Sequence, residues 1–138
     1  KPALALIMIG TNNLDGLNLD AYKADLVQIL DISAQMGVIP VLSTIPTRRN
    51  YESEALQVNQ IIRELTSARD LPLWDLYAQL DPLPLDGMLW DGIHLSEAEN
   101  SFYNSTVFTE SNLQFGAVMR NLRALEMLDH IWRDVMYD

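Results

Sequence analysis

Asp91 and His94 are the two residues of this chain whose types and spacing best suit catalysis. In the segment Asp91-Gly92-Ile93-His94 a carboxylate lies three residues before an imidazole. Such a carboxylate can hold one ring nitrogen and fix the tautomer, which leaves the other nitrogen free to accept a proton. The pair therefore predicts an orienting acid and a general base. These are two parts of a hydrolytic site, whose third part, the nucleophile, remains to be found.

A second candidate segment, Gly10-Thr11-Asn12-Asn13, follows the most apolar stretch of the chain. Gly10 allows a sharp turn, and the Asn12 side chain offers an amide donor that can stabilise an oxyanion. Taken alone, an ordinary strand-to-loop turn explains these residues more simply. His94 alone likewise suits a hydrogen-bonded surface group. The functional interpretation therefore depends on both segments belonging to one fold.

Three apolar segments predict the strands of a parallel sheet. They are residues 3–9, 38–43 and 71–76. The first is continuously apolar rather than alternating, as in strands that are covered on both faces. Pro40 and Pro72 lie in the second and third, and proline favours an edge position or a strand start.

Apolar residues at steps of three and four predict helices between and after these strands. The helices cover residues 19–36, 55–65 and 113–135. Gly37 suits the left-handed cap at the end of the first helix. Ser111 with Gln114, and Ser96 with Glu99, have the spacing of capping boxes. These boxes would start the long last helix and a short helix directly after His94.

The order β-α-β-α-β, then the loop with the Asp-His pair, then a helix predicts an α/β fold with a doubly wound parallel sheet. We expect residues 1–138 to belong to a single domain. In such sheets ligands bind outside the carboxyl ends of the strands. Arg48 and Arg49 also follow a predicted strand, and the sequence favours a solvated loop there.

Composition narrows the possible partners. Nine basic and 19 acidic residues give a net charge of -10, which works against a nucleic-acid backbone or an anionic membrane as partner. The longest apolar run is too short to span a bilayer. The chain has no cysteine and only two histidines, far apart, so we predict no metal site and no cofactor.

The combination and order of these motifs resembles the SGNH hydrolases, also called GDSL esterases and lipases. Gly10-Thr11-Asn12 resembles the third conserved block of that family, and Asp91-Gly92-Ile93-His94-Leu95 resembles the fifth. The resemblance implies a three-layer, flavodoxin-like α/β/α fold. It also implies that Gly10 and Asn12 form the oxyanion loop, that His94 is the general base, and that Asp91 orients it.

The family's first block, a Gly-Asp-Ser sequence that supplies the nucleophile, does not occur in these 138 residues. We therefore expect this chain to be the C-terminal part of the domain, with the serine and further strands supplied upstream of Lys1. Ser43 ends a predicted strand, but it lacks the helix start of a nucleophile elbow. A further departure is Asn13, where the family usually has an aspartate.

The resemblance implies a serine esterase that cleaves a small carboxylic ester, of a lipid or an acetylated sugar, through an acyl-enzyme. Trp90 and Asn13 are candidate substrate-binding residues. Two alternatives remain open at this point. One is an O-acyltransferase that uses a carbohydrate acceptor, and the other is a non-catalytic binding module that has kept the fold.

Overall fold

The computed structural model describes residues 3–135 of the chain. These residues fall into two units, which divide between Tyr77 and Ala78, and each unit is described by itself. None of the helices in this part of the chain has both the length and the apolar character that a membrane span requires.

The first unit contains a parallel sheet of three strands. They are β1 (Leu4–Ile7), β2 (Ile39–Ser43) and β3 (Leu73–Trp74), in the order β1-β2-β3. This confirms the α/β class with a parallel sheet. The strands are shorter than predicted; β1, for example, ends before Met8 and Ile9, which are each 41% exposed. Strand β1 is only half-buried, so the prediction that it is covered on both faces does not hold for the described residues.

Pro40 lies in the central strand, so the expectation of an edge position is wrong and that of a strand start is right. Successive N–H groups of a parallel strand point to opposite neighbours. The Ile39 N–H donates to the Ala3 carbonyl on the β1 side, at 2.9 Å. Position 40 therefore faces the other side, where pairing with β3 begins only at Leu42. The proline thus removes no hydrogen bond from the sheet.

Two long helices cover one face of this sheet. Helix α1 (Leu19–Gln35) joins β1 to β2, and helix α2 (Glu52–Ala68) joins β2 to β3. Because both right-handed crossovers run in the same direction along the sheet, both helices lie on the same face, and they contact each other. The buried core between them and the sheet contains Leu14, Tyr22, Leu26, Leu30, Leu42, Ile45, Ala55, Val58, Ile61, Ile62 and Leu65.

The glycine cap predicted at the end of α1 is confirmed, and the structure adds an unpredicted side-chain cap at its start. The Asn18 side chain accepts a hydrogen bond from the Ala21 N–H at 3.0 Å and so caps the helix. Gly37 follows the last turn with a φ of 60°, the left-handed conformation predicted for it.

The second unit is built from short segments around one long helix. Its elements are the end of α3 (Leu76–Leu80), a 3₁₀ turn (Pro84–Gly87), α4 (Ser101–Asn104) and α5 (Gly116–Val135). The turn carries Leu85 and Asp86 at φ values of 52° and 55°, which non-glycine residues rarely adopt. Gly116 packs directly on the Gly87 backbone, where a Cβ atom would clash.

Both predicted capping boxes are wrong, and a residue distant in sequence caps α5 instead. The Gly116 N–H donates to Ser96 Oγ at 2.8 Å, and Ser96 Oγ donates to the Gly87 carbonyl at 3.0 Å. Ser111 pairs its hydroxyl with that of Thr109, five residues or more before the helix starts. Ser96 therefore caps a helix, but the long one rather than a short one directly after His94.

Candidate functional site

A closed backbone loop presents the Asp-His pair of the second unit. Met88 and Leu95 form an antiparallel bridge, and the Leu89 N–H donates to the His94 carbonyl at 2.7 Å. At the tip, the Gly92 N–H donates to the Leu89 carbonyl at 2.9 Å, with Gly92 at a φ of 67°. The backbone around the histidine is thus fixed by its own hydrogen bonds.

The Asp91 carboxylate uses both oxygens within this loop. Oδ1 accepts from the backbone N–H groups of Ile93 and His94, at 2.8 and 3.1 Å. Oδ2 lies 2.8 Å from His94 Nδ1. The His94 side chain is 73% exposed while that of Asp91 is 25% exposed, so the aspartate is the more enclosed partner. Asp91 and His94 are therefore in contact, as their spacing predicted. The Nε2 side of the exposed ring is left available for proton transfer.

These bonds set the charge of the aspartate. The hydrogen bond from His94, followed by those from the two backbone N–H groups, lowers the pKa of Asp91 from 3.8 to about 2. Asp91 therefore remains a carboxylate at neutral pH, and it can stabilise an imidazolium that forms when His94 accepts a proton.

An acid titration of Asp91 tests this arrangement. Because its pKa is depressed in the folded state, the stabilisation it gives is fully present above about pH 4 and is lost as the pH falls toward 2. We expect the Asp91 carboxyl carbon in NMR spectra to titrate with a midpoint near 2. In His94→Ala the midpoint should rise toward the ordinary value, since the largest cause is removed. A wild-type midpoint near 4 would contradict the bonded geometry.

The Asn12 segment of the first unit forms a tight 3₁₀ turn, Thr11–Asn13, directly after β1. Gly10 precedes it with a φ of 129°, and a Cβ atom there would lie 2.9 Å from Tyr22 Oη. Only glycine suits this position, because both the conformation and the space exclude a side chain. The Asn13 N–H closes the turn on the Gly10 carbonyl at 2.9 Å.

The Asn12 side chain is exposed, and no other residue in the described part of the chain hydrogen-bonds to its amide. That amide is therefore available as a donor. Asn13 is exposed as well, and with Ile9 and Tyr22 it lines a cavity of about 350 Å³ against α1. The roles of Gly10, Asn12 and Asn13 in catalysis or binding stay predictions.

Two residues whose role here was not predicted from the sequence bind this turn. Tyr22 Oη donates to the Ile9 carbonyl at 2.9 Å, and Arg48 Nη1 donates to the Thr11 carbonyl at 2.6 Å. For Tyr22, the sequence predicted only a place on the apolar face of α1. The expectation of a solvated loop is wrong for Arg48, which is half-buried and donates to a backbone carbonyl. Such a bond leaves no pattern in the sequence.

Ser43 has no features of a nucleophile. It is 1% exposed, and its hydroxyl donates to the Thr44 carbonyl at 2.8 Å. The neighbouring Thr44 hydroxyl donates to Asp75, which also receives two hydrogen bonds from Arg63. These groups tie the carboxyl ends of β2 and β3 together.

A small cavity lies beside the Asp-His loop, within the second unit. It measures about 250 Å³ and is lined by Pro84, Leu85, Met88, Leu89, Trp90, Ser96, Gln114 and Phe115. Met88 is a core residue at 4% exposure, whereas Trp90 is 78% exposed. The lining contains no charged side chain, so the cavity suits a neutral, apolar group.

The parallel sheet, with helices between its strands, places the chain in the α/β class of proteins. Residues 1–99 match the model of the GDSL-like Lipase/Acylhydrolase family, and the chain belongs to that family. The matched region contains both predicted motifs and ends before α5.

Solved structures of the same family share the fold. A GDSL-like lipase from Bacteroides thetaiotaomicron is 14% identical with a TM-score of 0.63, and the match covers 91% of this chain and 63% of that one. A G-D-S-L family protein from Desulfitobacterium hafniense is 12% identical with a TM-score of 0.65, covering 92% and 66%. This chain thus spans just under two thirds of their lengths. No curated protein matches it significantly.

Proposed function

We propose that the protein hydrolyses carboxylic esters through a serine acyl-enzyme, with His94 as general base, Asp91 as its orienting acid and Asn12 as an oxyanion donor. The observation that carries the proposal is the 2.8 Å contact between Asp91 Oδ2 and His94 Nδ1 in a chain of this family. It fixes the imidazole in the tautomer whose Nε2 accepts protons.

The proposed reaction has two halves. His94 Nε2 removes the serine proton as the serine oxygen bonds to the ester carbonyl carbon, and the carbonyl oxygen accepts a hydrogen bond from the Asn12 amide. The bond to the alcohol then breaks, and the alcohol leaves with the proton from His94. Water attacks the acyl-enzyme with His94 again as base, which releases the carboxylic acid and restores the serine.

We further propose that the serine belongs to polypeptide outside these 138 residues. Ser43 is unsuitable because it is buried and bonded, as described above. Strand β1 has an unpaired edge in the described structure, and Met8, Ile9 and Ile32 expose between 41% and 46% of their surface. An apolar strand of this kind is normally paired or covered, which supports a further strand on that side.

The substrate proposed for this site is an ester with a short, neutral acyl group that occupies the cavity beside Trp90. A volume of about 250 Å³ lies below the roughly 300–1,000 Å³ typical of sites for drug-sized ligands. The cavity wall is connected to the base through the backbone bond between Leu89 and His94. An acyl group held there would lie next to the loop that carries the base.

A series of p-nitrophenyl esters assayed with the full-length protein tests this function. Each methylene buried contributes about 0.8 kcal/mol, so kcat/KM should rise about fourfold per added methylene and level off once the cavity is full. Trp90→Ala should flatten this dependence, because it removes one wall.

Trp132→Ala is the matched control, since Trp132 is also an exposed tryptophan, on α5. It should leave the chain-length dependence as in the wild type. No hydrolysis of any ester, or transfer of the acyl group to a sugar hydroxyl with no free acid formed, would contradict the proposed hydrolase.

A further inference from the structure

Three consecutive carbonyl groups directly before Asn12 are each held by a different donor. The Ile9 carbonyl accepts from Tyr22 Oη at 2.9 Å, and the Gly10 carbonyl accepts from the Asn13 N–H at 2.9 Å. The Thr11 carbonyl accepts from Arg48 Nη1 at 2.6 Å. The turn itself supplies only one of these bonds, so its orientation depends on two side chains from elsewhere.

Tyr22 is a firm anchor for the first of these bonds. Its ring belongs to the core of the first unit, where it is 7% exposed. Burial raises the pKa of Tyr22 to about 12, so the hydroxyl keeps its proton and donates throughout the working pH range.

Arg48 is anchored differently, through the loop that follows β2. The buried Asn59 side chain binds both the N–H and the carbonyl of Ile45, at 2.7 and 2.9 Å, and so fixes the start of that loop. The guanidinium lies 5.1 Å from the centre of the Tyr51 ring. Its Nε is buried, and no partner for it occurs in the described structure. An unpaired buried donor costs stability, which argues that Arg48 has a role besides stabilising the fold.

We propose that Arg48 and Tyr22 are positioning residues that hold the Asn12 amide in the orientation needed to receive the oxyanion. The inference rests on the proposed role of Asn12. It follows from the geometry because a displacement of about 1 Å in a catalytic group can cost roughly 100-fold in rate. Neither residue would touch the reacting atoms. Each holds the turn through a hydrogen bond that it donates to a backbone carbonyl.

A double-mutant cycle in the full-length protein tests this role. Arg48→Met should lower kcat for ester hydrolysis about tenfold with little change in KM, because it loosens a group that acts in the transition state. Arg48→Lys, which keeps a donor and the charge, should recover part of the loss. The variant Asn12→Ala with Arg48→Met should be no slower than Asn12→Ala alone, since the arginine then has nothing left to position.

Three controls keep the outcomes distinct. Arg49→Met removes the same charge from the adjacent exposed position and should leave kcat unchanged. Tyr22→Phe deletes only a hydroxyl, so it should lower kcat with the fold kept, even if Arg48→Met unfolds the protein. In NMR spectra of folded Arg48→Met, the side-chain amide signals of Asn12 should shift.

Additive losses in the double variant, or unchanged kcat in both Arg48→Met and Tyr22→Phe while Asn12→Ala is severely impaired, would overturn the positioning role alone. An unimpaired Asn12→Ala would instead overturn the proposed function on which it rests.

Discussion

Replacing His94 by glutamine should lower kcat/KM for ester hydrolysis by about 10,000-fold or more. Glutamine keeps a polar side chain of similar reach, but it has no nitrogen that accepts a proton at neutral pH. The serine hydroxyl would then attack without a base, and the leaving alcohol would receive no proton from the enzyme. Steady-state rates of the full-length variant against the wild type give the measurement.

The chain provides a close control in its other histidine. His130 lies on α5, is 74% exposed, and pairs with Asp134 at 2.9 Å, so it is also an exposed histidine with an aspartate partner. His130→Gln should retain the wild-type rate. Equal losses in the two variants would show that His94→Gln acts through folding or charge, and an active His94→Gln enzyme would remove His94 from the mechanism.

Replacing Asn12 by alanine should lower kcat by about 100- to 1,000-fold and leave the melting temperature almost unchanged. The large kinetic effect is expected because one donor to the developing oxyanion is lost. The small stability effect is expected because the side chain is exposed and no described residue bonds to its amide.

Asn12→Asp sharpens this experiment, because aspartate has the same shape but no amide donor. It also brings a negative charge to the place where the oxyanion forms, so it should be at least as slow as Asn12→Ala. A rate near that of the wild type in either variant would contradict the oxyanion role. A lower rate that is due only to a higher KM would indicate substrate binding instead.

The parts of this structure that sequence predicts well depend on local contacts. Asp91 and His94 are three residues apart, so the spacing alone predicts their contact, and the predicted Gly37 cap likewise acts within one helical turn. The strands followed from continuous apolar segments and the helices from apolar residues at steps of three and four, because burial produces both patterns directly. Strand lengths were overestimated, because apolar residues such as Met8 and Ile9 continue beyond the hydrogen-bonded part of β1.

The missed features all involve residues that are distant in sequence. Ser96 caps a helix that starts 20 residues later, whereas the capping boxes assumed a local partner. Arg48 reaches a backbone carbonyl 37 residues away, and any residue type at position 11 would provide that carbonyl. Pro40 is tolerated in a central strand only because β3 is short. Sequence patterns do not encode such contacts, so the side chains that fix the candidate site became visible only in the structure.

Reaction of the full-length protein with a fluorophosphonate probe tests the central claim most directly, since the probe reacts covalently with a serine that a histidine base has activated. Peptide mapping locates the label, and His94→Gln is treated in parallel. We predict one labelled serine, outside residues 1–138, and loss of labelling in the variant. Absence of label on the folded wild-type protein, or labelling that is equal in His94→Gln, would contradict a serine esterase that uses His94 as its base.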